Sequence, residues 1–511
     1  MLFLKYFIGI DIGTSSTKAV LFDELGTSLL SASSEYNIIS PKLGYIEENP
    51  NDWLKATIIT IKEITKIYPV IEGIGLSGQM HGLVLLDKND KILRNSIIWC
   101  DNRTGKEKEE IEKKIGNQRI KEITGNDVMA PFTLAKLLWV KNNEPEIYGK
   151  IAKIMLPKDY IRYILTGSFT TEYSDASGMQ MLDIYNKCYS NEILDKFAIN
   201  INFLPKLQES VDISGYIIPS LAKELGLKNI PFVVGGAGDQ AAAAIGNGII
   251  LPSDVSIVLG SSGVVFNPIL KEDIKPNLPV QVFMHAIKDI YHVMGVTNGC
   301  GLSYKWFKDN FCETEEIEAK INKQSVYEII NRKALSSPAG ANGLLYLPYL
   351  NGERTPHNDP YATGTFVGIR QSTNKDDFAR AVLEGISYSI RDCYSLLKSN
   401  RYNIYLSGGG AKGNLWRQII ADNLKCDIYR IEQQEGGALG VAILAMVAAG
   451  IYNNVLDAKE KIIKVKDITK PNKENYKVYD TRYEAYKALY YSLKGFFKKY
   501  YTRRNKNERI F

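Results

Sequence analysis

The chain sets out one short plan and then repeats it. Residues 7–11 read as a strand, Gly13-Thr14-Ser15-Ser16-Thr17 as a hydroxyl-rich turn, and residues 18–23 as a second strand. Past Gly248 the order returns, with residues 255–259 as strand, Gly260-Ser261-Ser262-Gly263 as turn and residues 264–266 as strand. Further on, Ile404-Tyr405-Leu406-Ser407-Gly408-Gly409-Gly410 repeats the pattern of Ile74-Gly75-Leu76-Ser77-Gly78. The likeness is weak by letter, but its order is kept, which is how an internal repeat shows. A chain of 511 residues is also too long for one core. The repeat therefore predicts a duplicated α/β domain with a boundary near residue 246. Residues 1–246 form one unit and 247–455 the next. Residues 456–511 are expected to be a peripheral tail ending in a Tyr-rich amphipathic helix over 480–500.

Composition narrows the function classes. Hydrophobic residues at 45% and charged residues at 23% are ordinary for a soluble globular chain. The net charge of +6 gathers at the end, where Lys498, Lys499, Arg503, Arg504, Lys506 and Arg509 face one acid, Glu508. The body is near neutral and offers no nucleic-acid groove, and the basic tail reads as a solvated terminus. Six scattered cysteines without a CxxC argue against zinc and against a disulfide framework, and fit a reducing cytoplasm. The apolar start MLFLKYFIGIDIG is short and lacks a cleavage pattern, and the apolar run 439–449 is too short to span a bilayer. No membrane partner is expected.

The chemistry-bearing stretches sit at strand ends. Gly235-Gly236-Ala237-Gly238-Asp239-Gln240 follows a short apolar strand and leads into a run of alanines suited to a closely packed helix. A lone carboxylate there either faces a cleft or caps that helix. Gly78-Gln79-Met80-His81-Gly82 places three bulky side chains between two strands, where they could line a pocket, although a single His is more often structural. Ile97-Ile98-Trp99 runs into Asp101-Asn102-Arg103, a helix start or a pocket edge. Asn51 and Asp52 can cap a helix whose apolar face holds Trp53, Ile58, Ile61 and Ile64. TTEYSDASG (170–178) reads as a polar loop, either a turn or part of a site. Residues 343–350 read as a strand, 376–397 as a long helix, and 411–424 as the helix opened by the Gly-rich turn, with Asn414 in its first turns. No GxxxxGK[ST] occurs, so phosphate binding would fall to the two hydroxyl turns, whose consecutive N–H groups suit an anion. The Gly-rich turn would let a flat ligand lie on the backbone, or serve only to pack strand on helix.

Taken in order, FIGIDIGTSSTKAVLFD, GYIEENP, GLSGQMHGLVLLD, WCDNRT, LPKDYIRYILTG, SDASG, GAGDQAAAAIG, LGSSGVVF, LPYLNGERTPH and LSGGGAKGNLWRQIIADNL resemble the FGGY family of carbohydrate kinases, nearest its xylulokinase branch, from about residue 5 to 450. The resemblance implies two duplicated actin-like, ribonuclease-H-like domains with a central cleft that binds sugar and ATP. It implies Asp239 as catalytic base, with Met80, His81 and Gln240 at the sugar. Gln240 stands where many xylulokinases have the shorter Asn. Asp11, with Asp239, would organise Mg²⁺ through its waters. Gly13, Thr14, Ser15 and Lys18 would meet phosphates from one side, and Ser261 and Ser262 from the other. Gly409, Gly410, Ala411 and Asn414 would hold the adenosine. The expected reaction is ATP-dependent phosphorylation of D-xylulose. The alternatives are another ketose, polyol or aldonate (gluconate, ribulose, glycerol), or a non-catalytic sugar sensor or filament former. The family also implies a homodimer.

Overall fold

The computed structural model describes residues 4–275, 277–397, 402–432 and 435–501. The tail residues Arg503, Arg504, Lys506, Glu508 and Arg509 lie outside the described residues. Each half of the chain builds a seven-stranded sheet. The first holds β1 (Tyr6–Ile12), β2 (Ser16–Asp23), β3 (Ser28–Glu35), β4 (Gly73–Gly78), β5 (Ile213–Tyr216), β6 (Phe232–Val234) and β7 (Ala237–Gly238). Its order is β5-β6-β4-β1-β2-β3, with β7 also paired to β4. The second holds β8 (Asp254–Leu259), β9 (Gly263–Ile269), β10 (Gln281–Met284), β11 (Tyr291–Thr297), β12 (Asn403–Ser407), β13 (Ile428–Ile431) and β14 (Val465–Thr469), in the order β10-β11-β9-β8-β12-β13-β14. In each sheet three antiparallel strands are followed by parallel ones. Strands β8, β9, β11, β12 and β13 take the places of β1, β2, β3, β4 and β6. The repeat read in the letters is thus a repeat of topology.

The helices that bear on function are α1 (Pro50–Thr65), α2 (Thr133–Asn143), α3 (Pro157–Thr166), α4 (Asp239–Gly246), α5 (Gly301–Phe311), α6 (Lys375–Tyr394), α7 (Asn414–Leu424), α8 (Gly436–Ala448) and α9 (Tyr476–Tyr501). The cap of α1 is Asn49, whose side chain accepts from the Asn51 N–H, and not Asn51 or Asp52. Pro50 sets the first turn two residues early, because its φ is already helical and it has no N–H to satisfy. Trp53, Ile61 and Ile64 form the buried face that their spacing predicts.

Helix α8 is apolar all round, the mark of a fully buried helix. It belongs to the second half by sequence, yet it packs in one core with Phe7, Val20 and Val234 of the first sheet and with Ala241, Ala242 and Ile245 of α4. The approach is backbone to backbone. A Cβ on Gly9 would lie 1.9 Å from the Ala438 carbonyl oxygen, and one on Gly440 1.9 Å from that of Ala242. The alanine run of α4 therefore serves close packing, as its small side chains suggest.

The C-terminal segment is not peripheral. Strand β14 pairs with β13 and completes the second sheet. Tyr479, Tyr486 and Tyr490 of α9 are fully buried in the same core as Val255 and Ile404. Each of the four core tyrosines has a partner for its hydroxyl. Tyr479 donates to Glu384 at 3.2 Å, Tyr483 to Asp392 at 2.6 Å and Tyr490 to Asp359 at 3.0 Å, while Tyr486 meets the Tyr349 hydroxyl at 2.6 Å. Satisfied hydroxyls are what let an aromatic stripe with polar tips leave water.

Three smaller expectations change. The strand expected over 343–350 narrows to Leu345–Leu347, paired with Thr365–Val367. The helix expected from 411 starts at Asn414, after a 3₁₀ turn over Gly409–Lys412. The polar stretch 170–178 is a strand, Thr170–Glu172, and two short helical turns, Tyr173–Ala176 and Ser177–Met179. Among the described residues no disulfide forms, and no helix is long and apolar enough to cross a membrane.

Candidate active site

Sheet register lines up the ends of three parallel strands. Asp11 pairs with Ser77, and Ser77 with Ala237; one step on, Gly78 stands between Ile12 and Gly238. The chain leaves these ends as the Gly13 turn, as Gln79-Met80-His81 and as Asp239. Crevices at the carboxyl ends of parallel strands are where open α/β sheets bind ligands.

Asp11 accepts a hydrogen bond from Ser77 Oγ at 2.7 Å, and burial holds its carboxyl above the usual range against Ser77 and Lys18. Asp239 is the first residue of α4, and Gly238 is the cap. The carboxylate accepts from the adjacent Gln240 N–H at 2.7 Å, and the Gln240 side chain also lies against it. Burial, then the charge of Asp11, push Asp239 up to about 7. The loop before it needs glycine at one point above all. Gly236 has φ +72°, and a Cβ there would lie 2.0 Å from the Leu76 carbonyl oxygen.

That loop is tied from behind. Arg162 Nη1 donates to Gly235 O at 2.6 Å, and Gly238 N donates to Ser174 Oγ at 3.1 Å. Arg162 pairs with Asp159 in a fully buried charge cluster around Lys158, whose ammonium lies 2.9 Å from Asp159, 3.1 Å from Glu172 and 2.9 Å from Asp175. Glu172 in turn caps the turn that carries Ser174. The TTEYSDASG stretch, ambiguous in sequence, is the floor under the Asp239 loop. Its two acids, Glu172 and Asp175, lie inside against the Lys158 ammonium.

Met80 is buried and lies against Gly238 and Gly178, each of which would strike it if given a Cβ. His81 has φ +68°. Its ring stacks on Phe132 at 4.3 Å, and its Nδ1 is 2.8 Å from Gly178 O. A carbonyl there requires Nδ1 to carry the proton, which leaves Nε2 as an acceptor. Burial, with Lys136 nearby, drives His81 down to about 3, so the ring is neutral. Gln79 departs from the pocket-lining expectation. It is buried, and its Nε2 donates to Gly13 O at 3.2 Å and to Glu48 at 2.7 Å, so it braces the turn instead.

The first hydroxyl turn closes with Gly13 N on Ser16 O at 3.0 Å. Thr14 Oγ1 accepts from Trp99 Nε1 at 3.0 Å, and Ser15 is exposed. Trp99 is exposed and braces the turn, while Asp101 and Arg103 form a buried ion pair beyond it. Lys18 Nζ pairs with Glu435 at 2.6 Å, just ahead of α8, and so bridges the two halves. In the second turn Ser261 is exposed and Ser262 half-buried. The first turn of α5 holds it, Gly301 N donating to Gly260 O at 2.8 Å and Leu302 N to Ser261 O at 3.0 Å. Of the residues expected around adenosine, Gly409 and Asn414 are exposed, and a Cβ on Gly409 would meet open space. Gly410 and Ala411 are corrected in part. A Cβ on Gly410 would strike Trp416, and the Ala411 methyl is in the core, so these two offer backbone at most.

Asp11 and Asp239 neighbour each other at strand ends of the first sheet, and each of the two like halves carries a hydroxyl-rich turn. The pattern of the FGGY family of carbohydrate kinases, N-terminal domain, matches residues 6–246, and that of the C-terminal domain residues 255–449. The chain belongs to the FGGY family of carbohydrate kinases. It is 38% identical to the xylulose kinase of Bacillus subtilis over 494 residues, covering 95% of this chain and 97% of that one. Ligand-bound xylulose kinase from Lactobacillus acidophilus superposes with TM-score 0.90 at 29% identity, over 97% of this chain and all (100%) of that one. Gluconate kinase from the same organism gives TM-score 0.89 at 29% identity, over 98% and 100%.

Proposed function

We propose that the chain transfers the γ-phosphoryl group of ATP to the terminal hydroxyl of D-xylulose, giving D-xylulose 5-phosphate, in the cytoplasm. The observation that carries the mechanism is Asp239, a carboxyl raised to about 7 beside a second carboxylate at the strand ends. A base poised near working pH takes a proton most effectively. Asp239 accepts the hydroxyl proton as that oxygen bonds to the γ-phosphorus; the bond to the β–γ bridging oxygen breaks, and ADP leaves with its electron pair. Met80 and the Nε2 of His81 hold the sugar, and Gln240 reaches its polar end. The Gly13-Thr14-Ser15 and Ser261-Ser262 turns supply fixed donors to the phosphates, which is most of what phosphoryl transfer asks of a protein. Lys18 would join them by exchanging Glu435 for phosphate.

Among the described residues no group of three or more His, Cys, Asp or Glu forms a metal cage, and neither Asp11 nor Asp239 is in an ion pair. Two neighbouring carboxylates without an ion-pair partner among the described residues fit Mg²⁺, which keeps waters and phosphate oxygens in its shell. When bound there, the ion neutralises charge on the phosphates. Closing of the halves on the sugar would keep water from taking the phosphoryl group.

The relatives named xylulose kinase favour the ketose. The gluconate kinase neighbour and the longer Gln240 favour a second reading, an aldonate. Coupled ADP release across ketoses, polyols and aldonates separates them. D-xylulose is expected to give the highest kcat/KM, and equal rates on gluconate would overturn the assignment. Asp239→Asn is expected to lower kcat by at least about 10³-fold with ATP affinity retained; near wild-type turnover would remove Asp239 as the base.

A further inference from the structure

His81 is held in a backbone conformation that a non-glycine residue rarely adopts, φ +68°. Such a residue is strained and persists only where its surroundings fix it. The backbone carbonyl is tied at the start of α2, while Gly178 O holds the ring through Nδ1. Lys136 Nζ donates to the His81 carbonyl oxygen at 2.7 Å, and Thr133 Oγ1 donates to the same oxygen at 3.3 Å. Phe132, just ahead of α2, supplies the ring on which the imidazole stacks.

Lys136 is fully buried and, among the described residues, forms no ion pair. Burial pulls its ammonium down to about 7, against the more distant charge of Asp101. A basic side chain kept inside for one carbonyl adds little to stability, charged or not. At that position an apolar side chain of the same length would pack without the desolvation cost. We propose that Lys136 is a positioning residue for sugar binding: its ammonium locks the His81 carbonyl, and with it the left-handed backbone that aims the imidazole at the substrate. Thr133 is the second, weaker tie. The inference rests on His81 contacting the sugar.

Lys136→Met keeps the length and removes the donor. The KM for the sugar is expected to rise about tenfold, with the KM for ATP within about twofold of wild type and the melting temperature unchanged or higher. Thr133→Val, a smaller change in the same shell, is expected to raise only the sugar KM, about two- to threefold. In a His81→Ala background, Lys136→Met is expected to add nothing. A sugar KM unmoved by Lys136→Met and Thr133→Val, while His81→Ala raises it, overturns the clamp and leaves the site reading standing. A sugar KM unmoved by His81→Ala itself overturns both.

Discussion

Asp239 carries a conflict that can be read out by pH. Its carboxyl is raised from 3.8 to about 7, first by burial and then by Asp11. Below the unfolded value both states are protonated and nothing is lost. As pH rises through about 7 the folded chain must ionise a group it disfavours, so the penalty is complete only above that. The shift caps it at about 4 kcal/mol, and water entry leaves about 1–2. Asp239→Asn is therefore expected to be more stable than wild type at pH 8, with the difference vanishing toward pH 4, as urea midpoints would show. In the active enzyme kcat/KM for sugar should fall on the acid side with an inflection near 7, because only the ionised form accepts a proton. A flat profile between pH 6 and 8 would contradict the assignment. The residue was legible in the sequence as a carboxylate that either faces a cleft or caps a helix, and as a base only through the family resemblance. Ser77 and Lys136 were not. A serine in a strand and a lysine in a helix look solvated by type, and only packing tells that one meets Asp11 and the other is enclosed.

Among the elements, α9 shows how a correct periodicity can be placed on the wrong side of the surface. Its tyrosines at 479, 483, 486 and 490 recur at helical spacing, which the sequence reading took for an amphipathic tail. The side they cover is the main core of the second half, and the polar hydroxyls concealed that. Tyr486→Phe keeps the ring and strands the Tyr349 hydroxyl, for an expected loss of about 1 kcal/mol. Tyr486→Ala opens a cavity and is expected to cost about 3–5 kcal/mol. Chemical denaturation should give both values, and an effect below about 0.5 kcal/mol for the alanine variant would mean that α9 is dispensable. The stretch 170–178 teaches the converse. It looked like a loop because its residues are polar, yet Lys158 gathers its acids inside and Ser174 there holds Gly238.

At the scale of the molecule, the duplicated plan was legible because glycine and hydroxyl turns recur in fixed order, whereas the crossing of α8 onto the first sheet was not. An all-apolar helix announces burial and is silent about which sheet it buries against. That crossing matters because α4 begins at Asp239, while α8 begins beside Glu435, the partner of Lys18. The two helices touch through Gly440 and the Ala242 carbonyl, so the distance between them sets how the base stands to the second half. A Cβ at Gly440 would sit 1.9 Å from that oxygen, and it is backbone that would have to move. Gly440→Ala is accordingly expected to cost about 1–3 kcal/mol by overpacking. By tilting α4 it should also lower kcat more than it raises either KM. Gly495→Ala in α9 is the control, since a Cβ there meets nothing within 4 Å and alanine favours the helix, so stability should hold or rise by up to about 1 kcal/mol. Thermal unfolding and steady-state kinetics of both variants decide the matter. If Gly440→Ala matches Gly495→Ala in both, the helix pair is not the element through which the halves are set.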